Sequence, residues 1–388
     1  MRTYRVAILG CRGRGTSAGR AYHAHPRTEV VGLCDLLPER TATLGDELGV
    51  TARFTDLDAM ILAVEPDLVA IPTGTEFHHE LCLRVLEHGV HIEVEKPICT
   101  TLEQADEVLN KAAEQGVRVA VHHQGRSGAA SRALAAAVEA GRIGELLHVR
   151  GSGKGYYGGY GLLNIGTHTL NNLLRFAGHC SAVTAPMLTD GRPLTPEDVR
   201  TAPSGMGALA GEQITAALEF ASGLTGVLLQ QRFPKVDSTA YHYELLGAEG
   251  RLFWRSGAAY HLPTPHYTPA AEHSAWTPLP LPAPEHYRPE SGANLDDYWF
   301  VEEYVQALDQ NRDHESSGVE GGHVLEIIMG IFEAGVTGRR VALPQTRRDH
   351  PLLRWRTEAG LPPPPPAPRP YREWLAAEDA RLRRATSG

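Results

Sequence analysis

The sequence predicts an α/β chain: a doubly wound parallel sheet, then a second α/β part carrying a mostly antiparallel sheet. Three observations predict it. The first third alternates short β-branched runs with helical stretches, the pattern of a parallel sheet covered on both faces. Beyond about residue 126 apolar runs follow one another on a period of two, the mark of antiparallel strands. At 388 residues the chain exceeds one ordinary domain, and its length suggests about two or three.

In order, YRVAIL (4–9), EVVGLC (29–34), DLVAIP (67–72), HIEV (91–94) and VRVAVH (117–122) read as buried strands. Between them the spacing predicts helices over 38–48, opened by Pro38; 56–63, capped by Asp56; 76–88, stopped by Gly89; and 101–115, stopped by Gly116. A helix at SRALAAAVEAGRIG leads to the strand LLHVRGSG and to a further helix at 161–172. After a Gly/Pro-rich connection (185–211) come the strands QITAALEF, GLTGVLLQQ, YHYELLG and RLFWR. The stretch 262–292 reads as irregular loop, 296–310 and 318–335 as helices, and LPPPPPAPRPY as a polyproline II spacer opening a tail. The expected boundaries are 1–125, 126–361 and a proline-rich tail 362–388.

Composition narrows the function. With 42% hydrophobic and 21% charged residues neither disorder nor a membrane class is expected. A net charge of -9 argues against a nucleic-acid partner, since phosphate neutralisation needs clustered Lys and Arg. MRTYRVAILG enters a strand at once, without the segments of a secretory signal, so the expected location is cytoplasmic. The five cysteines are scattered with no C-x-x-C and read as reduced thiols. The nineteen histidines fall in no metal-binding spacing, and His78-His79 and His122-His123 read as incidental pairs; no metal is expected.

GCRGRG (10–15) stands directly after the first strand and opens a helix, where a dinucleotide fingerprint belongs. Glycines there make the turn, admit a pyrophosphate to the backbone and leave helix N–H groups facing it. Gly10, Gly13 and Gly15 supply the glycines, although G-x-G-x-x-G counted from Gly10 would place one at Arg12. Arg12 and Arg14 add positive charge. Asp35 closes the second strand 20 residues after Gly15, positioned to accept from a ribose 2'-OH and so to favour NAD. Arg40 softens that preference and leaves NADP as the alternative. Thr73, His78 and Glu95 complete the expected cofactor set with Lys96.

HIEVEKPICTT (91–101) puts Glu95-Lys96-Pro97 at the carboxyl end of a strand, where ligands bind in open α/β sheets. Pro97 keeps Lys96 out of the helical region. A lysine so held would hydrogen-bond a substrate hydroxyl, or it simply snorkels at a strand end. In GLLNIGTHTLNN (161–172), Asn164, His168 and Asn171 share a helix face that Arg175 extends. That face is either solvated or lines a cavity.

Several segments in order resemble the glucose/fructose oxidoreductase, inositol dehydrogenase and rhizopine-catabolism family, Gfo/Idh/MocA. They include VAILGCRGRG, VVGLCDLLPER, HHELCLRVLEHGVHIEVEKPICTTLEQADEV, GRIGELLHVRG, GLLNIGTHTLNNLLRFAG, ALEFASGLTGVLL, ELLGAEGRLFW and FEAGVTGRRVALP, spanning about 4–344. The resemblance implies an N-terminal Rossmann domain and a C-terminal α/β domain whose open sheet often forms oligomer contacts, hence a homo-oligomer, dimer or tetramer. It implies that Lys96 lies beside a nicotinamide and that His168 is the acid/base acting on a substrate hydroxyl. Asn164 stands where many members have aspartate, and an amide takes no proton at neutral pH. His168, with an ordinary value of about 6.5, remains the base.

HHQGR (122–126) resembles a pocket segment, making His123, Gln124 and Arg126 candidate substrate ligands beside Lys96, Asn164 and His168. Arg126 would bind a phosphate or carboxylate, or join a local ion pair. Tyr156, Tyr157 and Tyr160 wall a sugar or pack. The implied activity is NAD-dependent oxidation of a sugar, polyol or cyclitol hydroxyl, or the reverse reduction. The alternatives are a glycosidase or epimerase that recycles NAD through transient oxidation, and a non-catalytic sugar- or nucleotide-sensing protein.

Overall fold

A computed structural model describes residues 2–268 and 275–383. In the N-terminal part β1 (Tyr4–Leu9), α1 (Arg14–Ala24), β2 (Thr28–Cys34), α2 (Pro38–Leu48), β3 (Arg53–Phe54) and α3 (Leu57–Val64) are followed by β4 (Leu68–Ile71), α4 (Thr75–Glu87), β5 (His91–Val94), α5 (Leu102–Gln115) and β6 (Val119–Val121). The strands pair in parallel in the order β3-β2-β1-β4-β5-β6. The order reverses between β1 and β4, opening a crevice at their carboxyl ends. Local chemistry explains the starts and stops. The Asp56 side chain accepts from Ala59 N at 2.8 Å, Pro38 opens α2, and Gly49 closes it at φ 71°.

The chain forms two compact units that do not follow the expected boundaries. The first contains the stretch ending at Cys99, Gln104–Ala129 and also Pro282–Gly322. Its core explains the addition: helix Leu295–Asp309 buries Phe300, Val301, Tyr304 and Val305 in one cluster with Tyr4, Val6, Ile8 and Leu33. That apolar face has its partners in the first sheet, which a boundary at 125 divides from it.

The second unit contains Thr100–Glu103, Ala130–Leu281 and the stretch from His323 onward. Its mixed sheet sets Gln213–Phe220, Thr225–Gln231, Leu146–Ser152, His242–Gly247, Arg251–Arg255 and Ala258–Leu262 side by side. The pairings are antiparallel except that of Leu146–Ser152 with Thr225–Gln231. Burial alternates along Gln213–Phe220, so one face of the sheet is covered and the other open. Helix Thr167–Ala177 lies on the covered face, close enough that a Cβ at Gly151 would stand 2.3 Å from Thr169.

Strands Cys180–Thr184 and Met187–Thr189 occupy ground expected in part as connection, and Ala258–Leu262 extends the sheet. The expected loop 262–292 contains strand Thr277–Pro278 and the turn Pro289–Ser291, while 269–274 lie outside the described residues. Past the prolines the expected tail forms helix Tyr371–Arg381 with Trp374, Glu378 and Asp379 buried; 384–388 lie outside the described residues. Reading the segment from its prolines missed this buried face. No described helix is long and apolar enough to cross a membrane.

Candidate active site

The loop after β1 has the shape of a phosphate cradle. Gly10 sits at φ 106° and Gly13 at φ 57°, conformations that side chains rarely adopt. A Cβ at Gly15 would lie 1.8 Å from Gly10 O, so this position admits no side chain. Arg12 and Gly13 are exposed. The Asp35 carboxylate accepts from Cys11 N at 2.9 Å and Leu37 N at 3.1 Å, and Arg40 reaches it at 3.3 Å. Asp35 therefore ties the loop to the end of β2, and Arg40 is its ion-pair partner. Across the crevice, Thr73 approaches Gly10, with Thr73 Cγ2 3.4 Å from where a Gly10 Cβ would be. Its buried Oγ1 has no hydrogen-bond partner within the protein. A cradle kept free of side chains and a buried hydroxyl left to an outside group fit a bound dinucleotide.

Arg14 faces elsewhere. Its guanidinium pairs with Glu95 at 2.8 Å and Asp297 at 3.0 Å, which makes it an ion-paired, partly exposed cation beside the exposed Arg12. Behind it lies a buried charged cluster. His122 contacts Glu93 at 2.6 Å and Asp297 at 3.1 Å, and the Tyr22 hydroxyl donates to Glu93. Burial alone would lower the His122 pKa, but the Glu93 charge and the hydrogen bonds to Asp297 and Glu93 raise it to about 9, so the imidazole is cationic. Burial likewise opposes ionisation of Asp297, and His122 and Arg14 overcome it, taking its pKa down to about 2. The Glu95 carboxyl is held below its usual range because His122, Arg14 and Lys96 outweigh its burial. His122, read from the sequence as incidental, is thus the centre of the cluster; Asp297 carried no local signal.

Lys96 is half-buried on the turn after β5, and the Lys96–Pro97 peptide is cis. His78 supports this turn: its ring nitrogens lie 2.9 Å from Pro97 O and 3.3 Å from Thr73 O. Burial keeps this imidazole neutral, with one N–H to donate, and the shorter contact makes Pro97 O its acceptor and ties His78 to the turn. His123 is buried, and burial first, then the charges of Lys96, His122 and Arg126, press its pKa well down, so it is neutral. Gln124 opens the short turn Gln124–Ser127. Arg126, with a side chain 12% exposed, pairs with Glu320 at 3.0 Å, the local ion pair among the two readings of this residue.

In the second unit the helix of 161–172 is interrupted by a π turn, Leu162–Gly166, that passes into Thr167–Ala177. Such insertions are frequent at functional sites. From Gly161 to Ala177 every residue is buried except Asn164, His168, Arg175 and Phe176. Asn164 and His168 therefore break the surface of an otherwise interior helix, while Asn171 is fully buried. Asn164 Nδ2 donates to the Tyr160 hydroxyl at 3.1 Å. Tyr156 meets Tyr160 edge-on at 5.3 Å, and Tyr157 is fully buried. Among the described residues no group of His, Cys, Asp and Glu is arranged to hold a metal, and the five thiols are buried and unpaired.

Residues 4–123 match the family model described as oxidoreductase family, NAD-binding Rossmann fold (GFO_IDH_MocA). The chain is 34% identical over 122 residues to 1,5-anhydro-D-fructose reductase of Ensifer adhaerens, covering 31% of this chain and 37% of that one. It is 31% identical over 189 residues to D-glucoside 3-dehydrogenase of Escherichia coli, covering 45% and 54%. The match thus spans about half or less of these relatives' length. The apo structure of levoglucosan dehydrogenase superposes with a TM-score of 0.72 at 20% identity, covering 89% of this chain and all of that one, which shows a shared fold.

Proposed function

We propose that this chain, whose residues 4–123 match the NAD-binding Rossmann model of the Gfo/Idh/MocA oxidoreductases, is a member of that family and an NAD-dependent dehydrogenase or ketoreductase of a neutral sugar or polyol. The observation that carries this reading is the helix 161–177, where Asn164 and His168 alone emerge from the buried first turns. The cradle of Gly10, Gly13 and Gly15, with Arg12, Asp35 and Thr73, would hold NAD, which supplies the two-electron oxidant. A His168 nitrogen takes the proton of the substrate hydroxyl, and Lys96 Nζ and the Asn164 amide orient that hydroxyl. Neutrality of the substrate is supported by Arg126, whose charge Glu320 already answers, and the similar enzymes bear the names of sugars. The preference for NAD is supported by Asp35, whose carboxylate would repel a 2'-phosphate, and by Arg40 being paired with it. A cytoplasmic dimer or tetramer built on the open sheet completes the proposal, checked by light scattering.

The test is NADH formation with a panel of free sugars, glycosides and cyclitols. His168→Ala and Lys96→Ala should each lose about 100-fold or more in kcat while binding NAD as the parent does. Near-parental rates in His168→Ala would overturn its role. Substrate conversion with no net NADH would replace the dehydrogenase by a cofactor-recycling enzyme, and ligand binding without any turnover would leave a sensing protein.

A further inference from the structure

The C-terminal helix Tyr371–Arg381 is built into the second unit. Its inner side repeats at Tyr371, Trp374 and Glu378, three and four residues apart. Trp374, 2% exposed, donates from Nε1 to Thr201 O at 2.8 Å and meets Tyr157 edge-on at 5.1 Å. Glu378 accepts from the Tyr157 hydroxyl at 3.4 Å and pairs with Arg200 and Arg381. Asp379 holds Arg232 through two hydrogen bonds at 2.6 and 2.8 Å. Ahead of the helix, Thr201 Oγ1 donates to Pro365 O at 2.9 Å and Ser204 N to Arg369 O at 3.0 Å. Fixing this segment costs backbone entropy at every residue, and buried anchors along its length offset that cost.

The first residue of the helix meets the segment that leads into the π turn. The Tyr371 ring stacks on Tyr160, centroids 4.6 Å apart and planes 15° apart, and meets Tyr156 edge-on at 4.8 Å. Its hydroxyl accepts from Tyr157 N at 2.8 Å. The Tyr160 hydroxyl in turn accepts from Asn164 Nδ2. A side-chain amide held through Nδ2 has its plane fixed, and with it the direction along which Oδ1 accepts hydrogen bonds. Two contacts therefore connect the end of the chain to the orientation of Asn164.

We propose that Tyr371 is a positioning residue of the substrate site: by stacking on Tyr160 it sets, through the Tyr160 hydroxyl, the rotation at which Asn164 accepts a hydrogen bond from a substrate hydroxyl. This rests on the dehydrogenase reading. It makes the C-terminal helix part of the recognition of a hydroxyl-bearing ring, and it gives the tyrosines of GYYGGYG a role behind the site.

The test uses the full chain and its variants Tyr371→Ala, Tyr371→Phe, Tyr160→Phe and Leu352→Ala, the last a truncation at a fully buried residue of the preceding helix that serves as a control for general destabilisation. Hydrogen exchange is followed over 160–168, and kinetics are measured with NAD and methyl α-D-glucopyranoside. Tyr371→Ala should raise exchange selectively over 160–168, whereas Leu352→Ala should lower the melting temperature without that local rise. Tyr371→Ala and Tyr160→Phe should raise KM for the glucoside about tenfold, the worth of one oriented hydrogen bond, with kcat and NAD affinity changed far less. Tyr371→Phe keeps the ring and should restore the parental KM. Unchanged exchange over 160–168 in Tyr371→Ala, or an equal rise in Leu352→Ala, overturns the proposal. If the parent does not oxidise the glucoside, the dehydrogenase reading fails for that sugar class and the exchange comparison still decides the positioning role, by the same two outcomes.

Discussion

Behind the cofactor loops the first unit carries a buried group of charges, Glu93, Glu95, His122 and Asp297, which the partly exposed Arg14 joins; behind Asn164 the second unit carries packed rings, Tyr156, Tyr160 and Tyr371. Both hold a segment of the candidate site still, by different physics. The buried charges are withdrawn from water, so each is tolerable only while its partners are present. The rings gain from area and stacking, which fade gradually as atoms are removed. The first device should therefore fail abruptly and respond to pH, whereas the second should weaken by degrees and respond to shape.

The largest expected effect lies beside the charged cluster, at the cradle itself. Gly15→Ala brings a methyl group into Gly10 O and should cost more than about 4 kcal/mol, seen as loss of cooperative melting of the N-terminal unit and of NAD binding. His122→Ala comes next. It takes away the cation beside Glu93 and one of the two beside Asp297, and breaking such a buried pair costs about 3–5 kcal/mol by denaturant unfolding. An effect below about 1 kcal/mol would reduce the cluster to the rank of surface ion pairs and erase the contrast.

The pH dependence sharpens the same contrast. His122 has its pKa raised to about 9 in the folded protein against about 6.5 in an unfolded chain. Its contribution is complete below about pH 6.5 and is lost as pH rises through 9. Asp297, lowered to about 2, contributes above an unfolded value of about 3.9 and loses that contribution as pH falls through 2. The parent's melting temperature should thus decline on the alkaline side, and His122→Gln should flatten that decline; an identical alkaline limb in the variant would show that the histidine is not its source. The smallest effect belongs to the rings. Tyr371→Phe removes the acceptor of Tyr157 N but keeps the stack, and should cost about 1 kcal/mol, measured as a modest fall in melting temperature.

Much of the first unit was legible because local signals and tertiary demands agree there. β-branched runs fell within a residue or two of β1, β2, β4, β5 and β6, and Pro38, Asp56 and Gly116 marked helix ends that the fold keeps. The tight turn of the loop was legible from Gly10, Gly13 and Gly15 because positive φ and the close approach of Gly15 to Gly10 O tolerate few residue types. Arg14 has contacts that its motif does not announce. Its spacing in GCRGRG suggests a phosphate ligand, but its partner Asp297 lies more than 280 residues away, and no local pattern announces a pairing of that span. Partners 175 and 214 residues away likewise hid the contacts of His122 and Tyr371. Short strands such as Arg53–Phe54 and Cys180–Thr184 escaped because a few residues give no period to read.

The return of helix Leu295–Asp309 to the first sheet has a consequence for the order in which the protein is made. The sixth strand of that sheet is synthesised by Val121, but the segment that closes its core and pairs with Arg14 and His122 leaves the ribosome only after Asp309. Until then Arg14 and His122 lack Asp297 and the sheet lacks Phe300 and Tyr304. The nucleotide-binding half of this chain is therefore not a module that matures first and waits for the rest. It becomes native late, once most of the second unit has already been translated.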